Sequence, residues 1–413
     1  MAIPSPPKVR RRGSGRRGLT LPASFGSVRE RINAVKIGFL VGHPTQFEGP
    51  FFRYAARDPN HDVRVIYSEP DCLQELFDPE LGTKVSWGID LLGGYSYELM
   101  PKQARMRWLL KDISAQKYDL LIINGYSRSE YLLAAVLAKL KGTPAALRLD
   151  SVAFGKTSAA KRVAKKLGFV ALKRFFRHFF AIGSLTVEYL EHYGVKRDRI
   201  SVFSYVVDAD YFREKSCLSS EAKTSIRGGY GIDAGSRIIL SVTKFNQRES
   251  PWDLMKAYCS MPDNNSYLLL IGDGEQRAAL EEYARAQRNH HIIFAGYVPY
   301  QELPSLYGIA DVFVHAVGNE PWGVSVNEAL ACGLPVVASS TVGAAYDLIS
   351  NQANGAIYEA GNPNDLRDKL SQILSFRRED VRSENDRVLS AWNYQTTWRN
   401  VLEVGHRNER ARV

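Results

Sequence analysis

Short apolar runs rich in valine, isoleucine and leucine recur along this chain, and most of them are followed by a stretch with helical periodicity. The runs occupy residues 35–41, 62–67, 119–124, 145–149, 179–183, 237–242, 267–272, 291–294, 311–315 and 335–338. Consecutive parallel strands need a crossover of a dozen or more residues, usually a helix, and both faces of such a sheet are covered. The alternation therefore predicts an α/β protein built on doubly wound parallel sheets.

The alternation is interrupted around residues 205–220 and then restarts, which indicates a hinge between two units. A chain of 413 residues also exceeds the size at which a single hydrophobic core keeps growing. We predict a Rossmann-like domain over residues 35–207 and a second over residues 208–382, with a central cleft between them. From Ser383 to about His406 the chain is predicted to form one helix, whose aromatic residues need a place to be buried.

Positive charge is concentrated in two segments of the chain, whose net charge is +10. Residues 1–20 hold six basic and no acidic residues among proline, glycine and serine, so residues 1–34 are predicted to form a disordered basic tail. In residues 156–178, apolar residues at helical spacing alternate with lysine and arginine, and no acidic residue occurs.

A basic amphipathic helix in residues 156–178, with phenylalanines nearby, suits an anionic membrane surface. The alternative is a solvated helix whose apolar stripe packs on its own sheet. Nucleic acid is not predicted as a partner, because no recognition motif accompanies the basic residues and they are confined to two segments.

Composition and short motifs argue against several other classes of protein. No apolar run approaches the roughly 20 residues that cross a bilayer, and the N-terminus lacks the apolar core of a secretory signal. The 4 cysteines show no CxxC spacing, and the histidines show no metal-binding spacing. Ser184 does not lie in a GxSxG elbow. We therefore expect no bound metal, no disulfide framework and no hydrolase triad, and a reducing, cytoplasmic setting.

Residues 319–338 combine two carboxylates with the start of a helix. Pro321 suits the first helical position, and Gly333 ends the helix. Glu320 falls at the mouth of this helix, and Glu328 lies about two turns along it. The free backbone N–H groups of the first turn form an anion site at which a diphosphate can sit between the two glutamates. The alternative is a capped βαβ unit with solvated glutamates.

Two further loops at strand ends carry candidate phosphate-binding features. Lys244 and Arg248 follow the run at residues 237–242, and cations there can stabilise a departing diphosphate. A solvated surface loop is the alternative. Residues 272–277 resemble the first half of a dinucleotide fingerprint but lack its third glycine, so they indicate NAD only weakly.

The glutamate pair, read with its surroundings, resembles a known signature. Glu320 and Glu328, with seven residues between them, resemble the E-x7-E motif of retaining, family 4-type glycosyltransferases of the GT-B fold. Supporting matches lie at residues 271–274, 294–298 and 306–314. The resemblance covers roughly residues 35–400 and is stronger in the C-terminal half. In this fold the last helix, here within residues 383–413, crosses back to the first domain.

The resemblance implies a donor site in the second domain. Glu320 would contact the donor sugar near the reacting centre, and Glu328 would bind the ribose hydroxyls. Backbone amides around Trp322 and Gly323 would meet the sugar or the phosphates. Lys244 stands where the family usually has a diphosphate-binding arginine.

The resemblance also implies the surroundings of that site. Tyr297 and Val298 would lie along the base of the nucleotide. Asp150 and Asn124 stand where family members often have histidines near the acceptor, and His43 is a further candidate there. Such enzymes need no metal and no cofactor beyond the nucleotide-sugar substrate, because cationic side chains and a helix dipole act on the diphosphate.

Two departures from the family pattern lie in the second domain. The second family cation, usually lysine, falls on Glu249, and Arg248 beside it is the candidate substitute. The Gly-Gly-x-x-Glu pattern of the family is here residues 343–347, Gly-Ala-Ala-Tyr-Asp.

Together these patterns predict a cytoplasmic glycosyltransferase, peripherally associated with the inner face of the cell membrane. It would transfer a sugar from a nucleotide donor, with retention, to a hydroxyl of a glycan or polyprenyl-linked acceptor, in polysaccharide or glycoconjugate synthesis. Two alternatives stay open. One is a catalytically impaired paralogue, favoured by Glu249, that binds a membrane or a partner. The other is a sugar phosphorylase or nucleotide-sugar epimerase of the same fold.

Overall fold

The structure is a computed structural model of the chain, and it describes residues 34–69, 76–78, 83–85, 88–154, 158–249, 251–262, 265–350 and 352–410. Nearly all of the predicted basic tail, residues 1–33, lies outside the described residues. So does the start of the second basic segment, at residues 155–157.

Strands and helices alternate along the described chain. The strands are β1 Lys36–Val41, β2 Asp62–Tyr67, β3 Leu76–Asp78, β4 Thr83–Val85, β5 Ser96–Leu99, β6 Leu120–Asn124, β7 Ala145–Leu149, β8 His178–Ala181, β9 Ile200–Val202, β10 Arg237–Val242, β11 Ser266–Ile271, β12 Ile292–Gly296, β13 Val312–His315, β14 Val336–Ser339 and β15 Gly355–Tyr358. The helices are α1 Glu48–Ala56, α2 Arg105–Gln116, α3 Ser129–Leu140, α4 Ala159–Phe175, α5 Ser184–His192, α6 Ala209–Ser216, α7 Ser220–Gly229, α8 Pro251–Cys259, α9 Arg277–Ala286, α10 Leu303–Ile309, α11 Val324–Ala331, α12 Gly343–Leu348, α13 Pro363–Ile373, α14 Arg378–Leu389 and α15 Tyr394–Arg410.

The strands form two parallel sheets. Within the described residues the first sheet has the order β5-β2-β1-β6-β7-β8-β9, and the second has the order β12-β11-β10-β13-β14-β15. Strands β3 and β4 pair with each other in antiparallel fashion. In both sheets the strand order reverses beside the first strand, which leaves a crevice at the carboxyl ends of β1 and β6 and of β10 and β13. The predicted α/β architecture with two doubly wound parallel sheets is confirmed.

Alternating side chains of each strand bury against helices on opposite faces of the sheet. In β1, Leu40 joins a core cluster with residues of α2, α3 and α4, whereas Phe39 joins a cluster with α1 and α15. The second sheet is covered in the same way by two clusters. These packed faces hold the carboxyl ends of the strands in fixed positions, and the candidate site residues project from those ends.

The C-terminal segment differs from the single helix that was predicted. It forms α14 and α15, which are separated at residues 390–393. The side chain of Asn393 accepts a hydrogen bond from the N–H of Thr396 at 2.8 Å, and this cap starts a new helix. Helix α14 packs on α11 and α12 beside the second sheet, whereas α15 packs on α1, β6 and β9 of the first. The break lets the chain pass from one sheet to the other.

The segment predicted as a hinge, residues 205–220, contains a helix. Asp208 caps α6, because its carboxylate accepts a hydrogen bond from the N–H of Tyr211 at 3.0 Å. Helix α6 packs on α10 and α11 beside the second sheet. The boundary between residues 207 and 208 stays a prediction.

Neither a membrane-spanning helix nor a cluster of metal ligands occurs among the described residues. No helix among them combines the length and the apolar character needed to cross a membrane. No group of three or more histidine, cysteine, aspartate or glutamate side chains there is arranged to hold a metal ion.

Candidate functional site

Two loops leave the second sheet at the point where its strand order reverses. One follows β10 and spans residues 243–249, and the other follows β13 and spans residues 316–323. A backbone hydrogen bond joins them, in which the N–H of Gly318 donates to the carbonyl of Arg248 at 2.7 Å. Ligands of open α/β sheets bind in the crevice at such a reversal. The fold therefore brings the predicted cation loop and the predicted glutamate motif to one place.

Helix α11 begins later than was predicted. Pro321 was expected at the first helical position, but the helix starts at Val324. The loop before it is held by backbone pairing, because the N–H of Gly343 donates to the carbonyl of Glu320 at 2.9 Å. Gly323 precedes the helix with a φ of 100°, a left-handed conformation that glycine adopts without strain.

Arg248 bridges two carboxylates at the mouth of α11. Its Nη1 lies 3.4 Å from Oε2 of Glu320, and its Nη2 lies 2.8 Å from Oε1 of Glu249. Burial raises the pKa of Glu320, the charge of Arg248 lowers it, and the charges of Glu249 and Asp150 raise it further. Asp150, from the first sheet, is therefore close enough across the cleft to act on Glu320.

Glu249 is turned into its own loop. Its Oε2 accepts a hydrogen bond from the hydroxyl of Thr243 at 2.8 Å and another from the backbone N–H of Lys244 at 2.5 Å. The carboxylate is mostly buried, and its other oxygen holds Arg248. The residue that appeared to oppose phosphate binding thus closes the turn and orients the neighbouring guanidinium. Lys244 lies in the same loop, partly buried.

Glu328 is buried in the core of α11. The hydroxyl of Tyr307 donates to its Oε2 at 2.9 Å, and the residue is 4% exposed. Burial raises the pKa of Glu328 to about 7, against the opposing effect of the Tyr307 hydrogen bond. Burial disfavours the charged form of this carboxylate, and only its Oε2 accepts the hydrogen bond of Tyr307. The carboxylate is therefore suited to accept hydrogen bonds from ligand hydroxyls.

The side chain of Trp322 packs between the two sheets. It is fully buried, its Nε1 donates to Oδ1 of Asn327 at 2.9 Å, and its ring lies 5.2 Å from that of Trp392. A side chain at Gly183 of the first unit would collide with this ring. Only the backbone of Trp322 is therefore left to meet a ligand at the mouth of α11.

Asp347 joins the two units beside Trp322. Its Oδ2 accepts a hydrogen bond from the N–H of Ser184, the first residue of α5, at 2.8 Å. Burial raises the pKa of Asp347 to about 6. This contact crosses the cleft and was not predicted, since it joins positions far apart in the sequence.

Tyr297 and Val298 follow β12 at the same edge of the second sheet. The N–H of Gly272, in the turn after β11, donates to the carbonyl of Gly296 at 2.8 Å. Both residues are half-buried, and burial raises the pKa of Tyr297. The backbone of Thr243 lies too close to Gly272 to admit a side chain there, so these loops form a tight floor beside the cation loop.

Asp150 ends β7 on the opposite side of the cleft. It is exposed, and the hydroxyl of Tyr205 donates to its Oδ2 at 3.5 Å. Beneath it, Arg148 is fully buried and pairs with Glu48 at 2.5 Å. The guanidinium also donates to the carbonyls of Phe203 and Ser204 and lies over the rings of Phe203 and Tyr205. A buried ion pair thus ties the first turn of α1 to the segment that leads into the second unit.

The other predicted acceptor-side residues lie at the carboxyl ends of β1 and β6. The side chain of His43 is 48% exposed, and its Nδ1 lies 3.3 Å from Oε2 of Glu69, which also contacts Arg128. Burial lowers the pKa of His43. Asn124, at the end of β6, is half-buried. Asp150, His43 and Asn124 thus share one edge of the first sheet, and that edge faces the cleft.

The basic segment forms α4, whose apolar side chains are largely exposed. Phe169 and Leu172 pack on the first sheet, but Val163, Leu167 and Val170 are each more than half exposed. Helix α3 packs on α4, and α2 packs on α3. These two helices add further exposed apolar side chains, which are Met106, Leu110, Leu132 and Leu140. The alternative in which the apolar stripe of α4 packs on its own sheet is therefore wrong for most of the helix.

Two features of the site escaped the sequence patterns. Tyr307, the partner of Glu328, lies in a run that reads as ordinary core. His315, the last residue of β13, lies beneath the start of α11 and continues an apolar strand. A histidine that ends a buried strand at a reversal of strand order was the available signal.

The second half of the chain matches a known family. Residues 222–387 fit the family described as glycosyl transferases group 1. An uncharacterized glycosyltransferase of Methanocaldococcus jannaschii is 30% identical over 193 residues, which are 45% of this chain and 49% of that protein. A D-inositol 3-phosphate glycosyltransferase of Xylanimonas cellulosilytica is 29% identical over 44% of this chain and 45% of that protein. The chain thus spans about half the length of each of these two relatives.

Solved structures extend the likeness to most of the length of the chain. A glycosyltransferase from Rickettsia africae has a TM-score of 0.72 at 16% identity, covering 91% of this chain and 99% of that one. HepE of Anabaena in complex with UDP has a TM-score of 0.69 at 16% identity, covering 89% of this chain and 98% of that one. At these identities the likeness shows the fold, which is the GT-B fold that the resemblance implied.

Proposed function

We propose that this chain is a retaining, metal-independent glycosyltransferase that takes its sugar from a nucleotide donor. The observation that carries the proposal is the contact of Arg248 with Glu320 at the mouth of α11, with Glu328 buried farther along the same helix. Arg248 places a cation beside the helix end, which binds anions. Glu328 supplies a carboxylate that can accept hydrogen bonds from hydroxyl groups. A diphosphate with a sugar on one side and a ribose on the other matches that order.

The donor would lie along the carboxyl edge of the second sheet. Glu328 would accept hydrogen bonds from the ribose, and the half-buried Tyr297 and Val298 would flank the base. HepE of Anabaena, a solved neighbour of the same fold, was captured with UDP and glucose and also with UDP-glucose, which supports a nucleoside diphosphate sugar as the donor. The identity of the base and of the sugar is tested below with a panel of nucleotide sugars.

Arg248, Lys244 and the free N–H groups of α11 would stabilise the charge that develops on the leaving diphosphate. Glu249 supports this role, because it holds the guanidinium of Arg248 in place and its own charge is turned into the loop. This orientation favours an active enzyme over the impaired paralogue.

The acceptor would enter from the first domain. The charge of Asp150 raises the pKa of Glu320, and His43 lies along the same edge of the first sheet as Asp150. A hydroxyl of a glycan or of a polyprenyl-linked sugar would attack from the face that the diphosphate leaves, which retains the anomeric configuration. The product would enter polysaccharide or glycoconjugate synthesis.

Peripheral association with the inner face of the cell membrane belongs to the same proposal. Exposed Val163, Leu167 and Val170 lie among the lysines and arginines of α4, and α2 and α3 expose further apolar side chains. Apolar area flanked by basic side chains binds anionic lipid surfaces.

Co-sedimentation with vesicles containing anionic lipid tests the proposed membrane association. Replacing Leu167 and Val163 with glutamate should abolish it and leave donor binding unchanged. Equal sedimentation of this variant would refute the role of α4.

The activity itself is tested with a panel of nucleotide sugars, measured by thermal stabilisation and by hydrolysis in the absence of acceptor. Stabilisation by one donor, lost on replacing Glu328 with alanine, is the expected result. Release of sugar phosphate when inorganic phosphate is added would favour a phosphorylase, and sugar inversion without acceptor would favour an epimerase. A chain that binds no nucleotide sugar would be the impaired paralogue.

A further inference from the structure

His315 ends β13 at the point where the second sheet reverses its strand order. The imidazole is 6% exposed and stacks near the ring of Phe313. It faces the start of α11 from below. Residues at the carboxyl ends of strands beside such a reversal are those that reach a bound ligand.

The two ring nitrogens of His315 differ in their surroundings. Nδ1 lies 3.2 Å from the hydroxyl oxygen of Ser325, in the first turn of α11. Nε2 is buried and has no hydrogen-bond partner among the described residues. Nε2 also lies 3.0 Å from the place that a Cβ on Gly323 would occupy, so it points at the residue that starts α11.

The ring is neutral at physiological pH. Burial, together with the smaller effect of the positive charge of Arg248, lowers the pKa of His315 to about 4. A neutral imidazole has one N–H and one acceptor nitrogen. When the hydroxyl of Ser325 donates to Nδ1, the N–H is on Nε2, directed at the mouth of the helix.

We propose that His315 is a donor-binding residue whose Nε2–H donates a hydrogen bond to an oxygen of the diphosphate at the N-terminus of α11, with Ser325 fixing the tautomer. This inference rests on the proposed function and names a contact that the glutamate motif does not contain. Two observations carry it independently of the helix end, namely the unpartnered buried Nε2 and its approach to Gly323.

The chemistry explains why a buried histidine suits this position. A hydrogen bond to a charged oxygen is stronger than one to a neutral group. A neutral donor supplies it without the desolvation cost of a second buried cation beside Arg248. Glycine at position 323 also keeps the path between Nε2 and the helix mouth open, since any side chain there would fill it.

The test compares affinities for a nucleoside and for its diphosphate. Isothermal titration calorimetry on the full chain would use uridine with UDP, guanosine with GDP, and adenosine with ADP. For the base that binds, His315→Leu should weaken diphosphate binding about 10- to 100-fold and leave nucleoside binding unchanged. His315→Gln, whose amide can still donate, should recover part of the loss, and Ser325→Ala should lose part of the affinity for the diphosphate alone.

A matched control is His178, a buried histidine in the first sheet whose Nε2 lies 3.0 Å from the hydroxyl oxygen of Ser201. His178→Leu should not change the ratio of the two affinities. If His315→Gln, His315→Leu and Ser325→Ala all keep the wild-type ratio, His315 is a core residue and the inference is wrong. If His315→Leu does not fold, the other two variants decide. A wild-type chain that binds no diphosphate would refute the proposed function itself, which is a different result.

Discussion

Replacing Glu328 with glutamine should change stability and ligand affinity in opposite directions. The carboxyl is buried, and its Oε2 accepts the hydroxyl of Tyr307. The amide oxygen of glutamine can accept the same hydrogen bond in nearly the same volume. The substitution therefore removes the charge of Glu328 and leaves its packing in place.

The magnitude follows from the raised pKa. Burial moves the pKa of Glu328 from 4.5 to about 7, and each pKa unit is worth about 1.4 kcal/mol. Between those pH values the folded chain binds a proton that the unfolded chain has lost, so its stability falls as pH rises through this window. The wild type loses about 3 kcal/mol between pH 4.5 and pH 7, and Glu328→Gln lacks this loss.

Urea unfolding at pH 4.5 and at pH 8 measures the effect. The variant should match the wild type at the lower pH and exceed its free energy of unfolding by about 3 kcal/mol at the higher pH. In the same variant, nucleoside affinity at pH 8 should fall about 10-fold or more, because a carboxylate accepts ribose hydroxyls more strongly than an amide. Glu282→Gln, on an exposed position of α9, is the control and should change neither quantity.

Two outcomes would refute this reasoning. If Glu328→Gln gains no stability at pH 8, the buried carboxyl is not destabilised by its charge. If the variant is more stable but binds the nucleoside as tightly as the wild type, Glu328 is a structural residue and the assignment from the motif is wrong.

Three further substitutions test the parts around this helix. In the wild type, burial raises the pKa of Asp347 from 3.8 to about 6, so the free energy of unfolding falls as pH rises through this range. Asp347→Asn should lack this fall, and urea unfolding across the acidic pH range would measure it. Glu249→Ala should weaken nucleoside diphosphate binding and leave nucleoside binding intact, since Arg248 loses its support. If calorimetry shows that the affinities for both ligands fall, the effect of the substitution is purely structural. Gly323→Ala should lower the midpoint of thermal unfolding, because the φ of 100° is strained for alanine. It should also lower the affinity for diphosphate, because the added Cβ would lie 3.0 Å from Nε2 of His315. An unchanged diphosphate affinity would contradict the predicted crowding at the helix mouth.

The fold was largely predictable because its information is local. Alternating apolar runs and helical stretches set the two parallel sheets, and the glycine after α11 marked its end correctly. The helices that were missed or misplaced depend on single side chains. Asp208 starts α6 and Asn393 starts α15, each by accepting an N–H three residues later, and this capping spacing was present in the sequence.

The candidate site was predictable only in part. The spacing of the glutamates located the helix mouth, but the late start of α11 follows from backbone pairing with residues 341–343, which no local pattern contains. The inward orientation of Glu249 depends on N–H and hydroxyl donors that converge only in the folded turn. The contact of Asp347 with Ser184 joins positions far apart in the chain, so only tertiary structure reveals it.

The buried pair of Arg148 and Glu48 has a consequence for the evolution of this chain. Removing one partner of a buried ion pair strands the other charge and costs about 3–5 kcal/mol, whereas replacing both with apolar residues of similar volume is often neutral. Single substitutions at either position should therefore be purged, and the two positions should change together or not at all. In sequences descended from this one, residues 48 and 148 would therefore covary.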